Sequence, residues 1–255
     1  MEKLTSRKNE LIRHIRRLGA DRAYRRETGE FVCDGEKLLG EALRHGAEIT
    51  AVLWSGAPGM AGNEIPGAAQ YTVPPELLDY VSPLKSAAGV VFTARIRRFG
   101  FGERPEDAPP GRTLVLETIQ DPGNLGTILR TANALRIDTV VLTGDCADPY
   151  GPKAVRAGMG AVFRQRFFAL EQGALRDYLT HHGLRLYGAA LSPAAADVRA
   201  LDLRGAAVAV GSEGRGLSPE LRAKCDGELI IPMNAECESL NAAVAAAIIM
   251  WELSR

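Results

Sequence analysis

Hydrophobic and polar residues in the first part of the chain repeat with both helical and strand periods. Leu11, Ile12, Ile15 and Leu18 recur at helical spacing, with arginines on the opposite face, so residues 6–19 are predicted as an amphipathic helix. The same reasoning gives the following further segments: strands at 31–33, 49–54 and 89–94, and helices at 36–45 and 76–80. This alternation predicts a small α/β domain over residues 1–104.

A break in this pattern lies between Phe99 and Gly111. The stretch is rich in Gly, Pro and acidic residues and has no hydrophobic period, which is typical of a linker. We therefore expect a second domain over residues 112–255.

Beyond the linker, strand and helix patterns alternate in longer units. Strands are predicted at 113–119, 139–142, 166–169, 185–190, 206–210 and 228–231, and helices at 124–135, 153–159, 175–181 and 240–253. Such alternation predicts a mostly parallel sheet with helices on both faces. Because ligands bind at the carboxyl ends of parallel strands, the loops after Ile119, Val210 and Ile231 are the places to look for chemistry.

Composition adds limits on the class of protein. The 255 residues are 46% hydrophobic and 24% charged, as in globular proteins. The chain contains no uninterrupted run of 18 apolar residues, so we do not expect a membrane span. The charged first residues contain no apolar signal-peptide segment, and the four cysteines have no C-x-x-C spacing. We therefore expect a cytoplasmic protein with reduced thiols and no bound metal.

Charge is balanced over the whole chain but not along it. The 31 basic and 31 acidic residues cancel, yet the first 26 residues hold nine Lys or Arg against three acids. The candidates for RNA phosphate contacts in this basic cluster are Arg7, Lys8, Arg13, Arg16 and Arg17. An ordinary solvated helix face would show the same pattern.

The loop after Ile119 begins with Asp121-Pro122-Gly123, which is typical of a turn. Asn124 then occupies the position expected for a helix N-cap, and Arg130 is predicted to face the strand ends. A capped turn with a surface arginine explains the same residues.

The loop after Val210 has glycines with G-x-x-G-x-G spacing, which favours close approach of backbone to a ligand. The spacing differs from the dinucleotide-binding fingerprint, and the Lys-Ser/Thr of a phosphate-binding P-loop is absent. Glu213 would hold a hydroxyl group or orient an arginine, although an exposed acid in a glycine-rich turn is an equally simple interpretation.

The loop after Ile231 leads into the last helix. Ser239 is the predicted N-cap of that helix, whereas Asn241 has no packing role that the sequence can explain. The helix is apolar on more than one face, so we expect it to be buried in the core or against a partner subunit.

These loops together resemble a known family. N-x-G-x-x-x-R at Asn124, G-x-E-G-x-G-L-S from Gly211, I-P-M from Ile231 and S-L-N from Ser239 are similar, in order and separation, to the motifs of the SpoU/TrmH-type RNA ribose 2′-O-methyltransferases of the SPOUT superfamily. The resemblance extends over nearly the whole chain, including the N-terminal segment from Ser6.

The resemblance implies an L30e-like α/β RNA-binding domain, followed by a SPOUT α/β domain with a parallel sheet and a trefoil knot. It also implies a homodimer through the catalytic domain and S-adenosylmethionine (AdoMet) as methyl donor. The residues that it assigns to the site are backbone contacts to AdoMet at Gly211, Ile231 and Leu240, and a catalytic set of Asn124, Arg130, Glu213, Ser239 and Asn241.

Ribosomal RNA is the expected substrate, with transfer RNA as the alternative. A non-catalytic RNA-binding protein of the same fold is a second alternative, which the intact polar set argues against. A nucleotide-dependent oxidoreductase is disfavoured because its glycine fingerprint is missing.

Overall fold

A computed structural model describes residues 1–56, 65–83, 87, 89–97, 111–212, 214–234 and 236–255. The chain divides into two compact units, the first formed by 1–97 with Asp148–Phe163 and the second by the described parts of 98–147 and 164–255. The predicted linker lies outside the described residues except for Gly111.

The first unit has a five-stranded mixed sheet in the order β1-β4-β3-β5-β2. Its elements are β1 (Glu2–Lys3), α1 (Glu10–Ala20), α2 (Arg22–Thr28), β2 (Glu30–Asp34), α3 (Glu36–Arg44), β3 (Ile49–Trp54), β4 (Ala69–Thr72), α4 (Pro75–Val81), β5 (Val90–Arg95) and α6 (Pro152–Gly158). The short strands β1 and β4 and helix α2 are absent from the sequence prediction, because β1 and α2 consist mostly of charged residues and β4 has only four residues, so none shows a clear hydrophobic period.

Helix α1 begins later than its hydrophobic period predicts. The side chain of Asn9 accepts hydrogen bonds from the backbone N–H groups of Leu11 and Ile12, so the helix starts at Glu10 and the predicted start at residue 6 is wrong. The predicted inner face is correct, since Ile12, Ile15 and Leu18 are fully buried against the sheet.

Part of the core of the first unit comes from the middle of the sequence. The ring of Phe31 packs 4.9 Å from that of Tyr150 and 5.8 Å from that of Phe163. The buried guanidinium of Arg25 donates to a carboxylate oxygen of Asp148 at 2.8 Å and to the carbonyl oxygen of Leu18 at 2.5 Å. The segment Asp148–Phe163 therefore completes this unit, which sequence patterns do not indicate.

The second unit has a seven-stranded sheet in the order β10-β12-β9-β11-β6-β7-β8, and every pairing recorded among its described strands is parallel. Its elements are β6 (Thr113–Glu117), α5 (Pro122–Ala134), β7 (Thr139–Thr143), β8 (Phe167–Ala169), α7 (Gln172–His181), β9 (Arg185–Ala189), β10 (Ala196–Asp197), β11 (Ala206–Val210), α8 (Pro219–Arg222), β12 (Gly227–Ile230) and α9 (Ala242–Leu253). Short 3-10 turns lie at Ala161–Phe163 in the first unit and at Val198–Ala200 in the second. The predicted α/β class with a parallel sheet is confirmed; the trefoil knot stays a prediction.

Both faces of the central strands are covered. All residues of β6, β7 and β11 are buried, as expected for parallel strands between two helical layers. Leu175 of α7 and Leu221 of α8 pack on one face of the sheet. Helix α9 contacts both β11 and α5 and belongs to the helical layer on the other face. Among the described helices, none is long and apolar enough to cross a bilayer.

Candidate functional site

A pocket of about 480 Å³ opens at the carboxyl ends of three neighbouring strands, β12, β9 and β11. The predicted backbone contacts Gly211, Ile231 and Leu240 all line it, together with Ser239. Its apolar lining includes Leu191, Leu217, Leu229, Ile230, Met233 and Ile249. The end of β9 and the loop after it, residues 189–191, were not singled out from the sequence, although the strand-end rule applies to them as well.

The glycine-rich loop folds back tightly on itself beside this pocket. The backbone N–H of Gly216 donates to the carbonyl oxygen of Ser212 at 2.8 Å, and the two residues form an isolated bridge. A Cβ atom on Gly211 would overlap the carbonyl group of Gly216 and lie 2.5 Å from the backbone nitrogen of Leu217. Glycine at position 211 is therefore required by the close approach of the loop's own backbone.

Two asparagines from distant parts of the sequence meet at the start of helices α5 and α9. The side-chain nitrogen of Asn241 donates to the side-chain oxygen of Asn124 at 3.2 Å. Asn241 directly follows Leu240, which lines the pocket, so this pair adjoins the candidate site. The structure thus brings together two of the residues that the resemblance assigns to the catalytic set.

Both predicted helix caps are wrong by a few residues. Asp121, not Asn124, caps α5, because its carboxylate accepts from the backbone N–H of Asn124 at 2.7 Å. Asn241, not Ser239, caps α9 by accepting from the backbone N–H groups of Ala243 and Val244. The amide of Asn241 therefore serves the helix with its oxygen and Asn124 with its nitrogen.

The remaining predicted catalytic residues are placed as follows. Ser239 is exposed and lines the pocket. Arg130 lies two turns into α5 with an exposed side chain, and it is not among the described residues that line the pocket in a single chain. Six residues of helix place it about 9 Å along the axis from Asn124 and about 120° around it. Glu213 lies outside the described residues.

Two arginines that the sequence analysis did not propose also line the pocket. Arg215 is exposed on the glycine-rich loop, and Arg222 of α8 donates to a carboxylate oxygen of Glu228 at 2.8 Å. This hydrogen bond is the main reason that the pKa of Glu228 lies below its usual value, and a hydrogen bond from Ser192 contributes less. The only sequence signal for Arg215 is a cation between two glycines of the loop.

Two of the three cysteines of the second unit, Cys146 and Cys225, are poorly suited to act as nucleophiles. Burial raises the pKa of the Cys146 thiol. Burial, and to a smaller extent the nearby carboxylates of Glu228 and Asp226, raise the pKa of the Cys225 thiol to about 11. Within the described residues there is also no cluster of three or more His, Cys, Asp or Glu side chains arranged to hold a metal ion.

The basic cluster of the first unit is solvent-exposed and contains aromatic rings. The predicted RNA-contacting residues Arg7, Lys8, Arg13, Arg16 and Arg17 are all exposed. The guanidinium carbons of Arg7 and Arg16 lie 4.6 and 4.9 Å from the ring centre of Tyr80. That of Arg17 lies 4.0 Å from the ring centre of Tyr24. Stacking on tyrosine holds these cations extended over the surface.

Comparison with known protein families gives matches in both parts of the chain. Residues 111–251, more than half of the chain, match the SpoU rRNA Methylase family. Residues 9–91 match the MRM3-like substrate binding domain.

Individual relatives match over nearly their whole length. The 23S rRNA (guanosine(2553)-2′-O)-methyltransferase RlmP of Bacillus subtilis is 29% identical over 99% of both chains. The AdoMet-bound rRNA methyltransferase of Sinorhizobium meliloti is 27% identical, with a TM-score of 0.87 over 99% of this chain and 97% of that one. The AdoMet complex of the SpoU methyltransferase AviRb from Streptomyces viridochromogenes is 26% identical, with a TM-score of 0.86 over 97% of this chain and 98% of that one. The family match, the fold and the pocket agree, and this chain belongs to the SpoU rRNA methylase family.

Proposed function

We propose that this protein transfers a methyl group from AdoMet to a ribose 2′-hydroxyl of ribosomal RNA, acting as a cytoplasmic homodimer. The observation that carries the proposal is the meeting of the glycine-rich loop, the Leu240 segment and the Asn124–Asn241 pair at one edge of the parallel sheet. The rRNA 2′-O-methyltransferase RlmP and the AdoMet-bound neighbours support the substrate and the donor.

The pocket suits a donor of this size and polarity. Its volume falls within the range of about 300–1,000 Å³ usual for small-ligand sites, and both apolar and polar residues line it. The backbone groups of Gly211, Ile231 and Leu240 would hold the adenosine part. When bound, AdoMet supplies an electrophilic methyl carbon and a neutral thioether leaving group, so the residues of the site have mainly to orient the ribose oxygen.

Arg130 is proposed as a clamp on the RNA rather than as a base. A guanidinium keeps its proton in proteins, so it is a poor proton acceptor. Its fork of donors suits a phosphate group and a developing alkoxide. Asn124 and Asn241 would hydrogen-bond the ribose, and Ser239 and Glu213 complete the proposed polar set.

The homodimer would form through the exposed side of α9. Val244 and Trp251 are 48% and 59% exposed, and with Ile248 they form one stripe at helical spacing. A large apolar stripe of this kind is typical of a protein interface. Because α5 packs beside α9, dimerisation would bring the exposed Arg130 close to the partner and offer it to the partner's pocket.

The domain at residues 1–104 is proposed to bind the RNA, and 112–255 to carry the catalysis. The exposed arginines stacked on Tyr80 and Tyr24 support the first part, because arginine with aromatic rings suits both phosphates and unpaired bases.

Gly211→Ala is expected to weaken AdoMet binding more than tenfold, because the new methyl group forces the loop away from Gly216. Isothermal titration with AdoMet measures the effect. Gly173→Ala, in α7 of the same unit, is the control: its Cβ would have no neighbour within 4 Å and Gly173 is not among the described residues that line the pocket, so this variant should bind AdoMet normally. Equal affinities for the two variants would contradict this placement of the donor.

Arg130→Lys is expected to lose most turnover, about a hundredfold or more, while AdoMet affinity is unchanged, because a point charge cannot replace the guanidinium fork. The assay follows labelled methyl transfer to ribosomal and transfer RNA. Arg136→Lys, just past the end of the same helix, is the control and should keep full activity. A wild-type chain that methylates only transfer RNA would replace the proposed substrate, and one that methylates neither would favour the non-catalytic alternative.

The double variant Lys8→Ala with Arg13→Ala is expected to bind a ribosomal RNA fragment more weakly and to reduce the logarithmic salt slope by about 1.5, since each lost phosphate contact removes roughly 0.7–0.9. Binding curves between low and moderate salt measure this. The exposed Arg44→Ala, elsewhere in the same unit, should leave the slope unchanged. An unchanged slope in the double variant would mean that the basic cluster is only a solvated surface.

Trp251→Glu is expected to convert the dimer to a monomer, because it places a carboxylate in the centre of the proposed apolar interface. Analytical ultracentrifugation gives the mass. Leu43→Glu changes another exposed hydrophobic residue, in the first unit, and should leave the dimer intact. A monomeric wild type, or a dimeric Trp251→Glu, would rule out this interface.

A further inference from the structure

Glu117 is a buried carboxylate in the second unit that the proposed chemistry does not use. It is the last residue of β6, is 3% exposed, and is not among the described residues that line the pocket. Burying a carboxylate is costly unless hydrogen bonds compensate for the lost hydration. The partners of Glu117 therefore indicate what the charge stabilises.

Three donors converge on this carboxylate. One oxygen accepts from the backbone N–H of Ser218 at 2.7 Å. The other accepts from the hydroxyl of Ser218 at 2.6 Å and from the side-chain amide of Gln172 at 2.6 Å. Lengths this short are typical of charge-assisted hydrogen bonds, which are about twice as strong as neutral ones.

These bonds close the glycine-rich loop at its far end. Ser218 directly follows Leu217, the last loop residue that lines the pocket, and its hydroxyl also accepts from the backbone N–H of Leu221 to cap α8. The near end of the loop is held by strand pairing, since Val210 lies opposite Leu116. If the register between β11 and β6 is continued by one residue, Gly211 lies beside Glu117. The loop thus leaves the sheet beside Glu117 and returns to the carboxylate of the same residue.

The backbone after Glu117 is held in an unusual conformation. Thr118 has φ of +55°, in the left-handed region that β-branched residues rarely adopt. Its backbone N–H donates to the carbonyl oxygen of Thr143 at 3.0 Å. Such strain persists only where the surroundings fix the chain from several sides. The position of the carboxylate is therefore determined by the fold and not by the loop.

We propose that Glu117 is a positioning residue for the donor pocket: its carboxylate holds the end of the glycine-rich loop through Ser218 and so keeps the loop backbone in the conformation that binds AdoMet. The inference rests on the proposed function, because it assumes that AdoMet occupies this pocket. Glu117 acts through the loop, so its loss should affect donor binding while RNA binding and chemistry at saturating donor are retained.

The test is Glu117→Gln, which keeps the shape but removes the charge and one of the two acceptors. We expect both the Kd and the KM for AdoMet to rise about tenfold, which corresponds to the loss of roughly one charge-assisted hydrogen bond. RNA affinity and kcat at saturating AdoMet should stay within about twofold, because Glu117 acts only through the donor-binding loop. A variant that is merely less stable would behave differently: its active fraction would fall, but its Kd for AdoMet would not change. Combining it with Ser218→Ala should add little, since both variants break one interaction.

Asp138→Asn is the matched control. Its carboxylate accepts from the backbone N–H of Arg112 at 2.8 Å. Asp138 directly precedes β7 and so lies at the amino ends of the strands, opposite the pocket, and loss of its charge should leave the AdoMet Kd unchanged. If Glu117→Gln does not fold, Gln172→Ala removes one donor and leaves the carboxylate; it should raise the AdoMet Kd about threefold.

The outcomes separate the two proposals. A wild-type protein that fails to bind AdoMet overturns the proposed function and this inference with it. Normal AdoMet binding by the wild type, together with an unchanged Kd in Glu117→Gln or, where that variant does not fold, in Gln172→Ala, overturns this inference alone. Equal losses of donor and RNA affinity would also overturn it, because they would indicate a general structural role.

Discussion

The second unit depends on one constraint: its central parallel strands are buried on both faces, so polar side chains on them can be accommodated only at the strand ends. The central strands β6, β7 and β11 are buried along their whole length. Because parallel strands all end at the same edge, loops far apart in sequence meet there. Glu117 and Ser218 are 101 positions apart and share two hydrogen bonds, and Asn124 and Asn241 are 117 apart and share one.

The ends of the helices show how this edge is organised. Asp121 satisfies the first turn of α5, which leaves the side chain of Asn124 available to Asn241. Asn241 in turn starts α9, the helix whose outer stripe would form the dimer interface. The start of α9 therefore couples three features: the pocket wall at Leu240, the asparagine pair and the proposed partner surface.

The first unit illustrates a different dependence. Its sheet could be anticipated from alternating residues, but its core is completed by Tyr150 and Phe163, and Asp148 neutralises the buried Arg25. A domain boundary drawn from a linker assumes that each domain is continuous in sequence. Here the compact unit is discontinuous, because Asp148, Tyr150 and Phe163 belong to a segment between β7 and β8.

The sequence is enough to predict the α/β class, the parallel sheet, the buried face of α1 and the three loops that carry polar residues, because these follow from local hydrophobic period and strand order. It also carried the family motifs, which lie at 124–130, 211–218, 231–233 and 239–241. The fold determines which of Asp121 and Asn124, or of Ser239 and Asn241, caps a helix, since each of these residue types is a competent cap and the surrounding backbone selects one. It alone identified Glu117 as the anchor of the glycine-rich loop, because in sequence Glu117 is only the polar end of an apolar strand, and its three donors reach it through the fold.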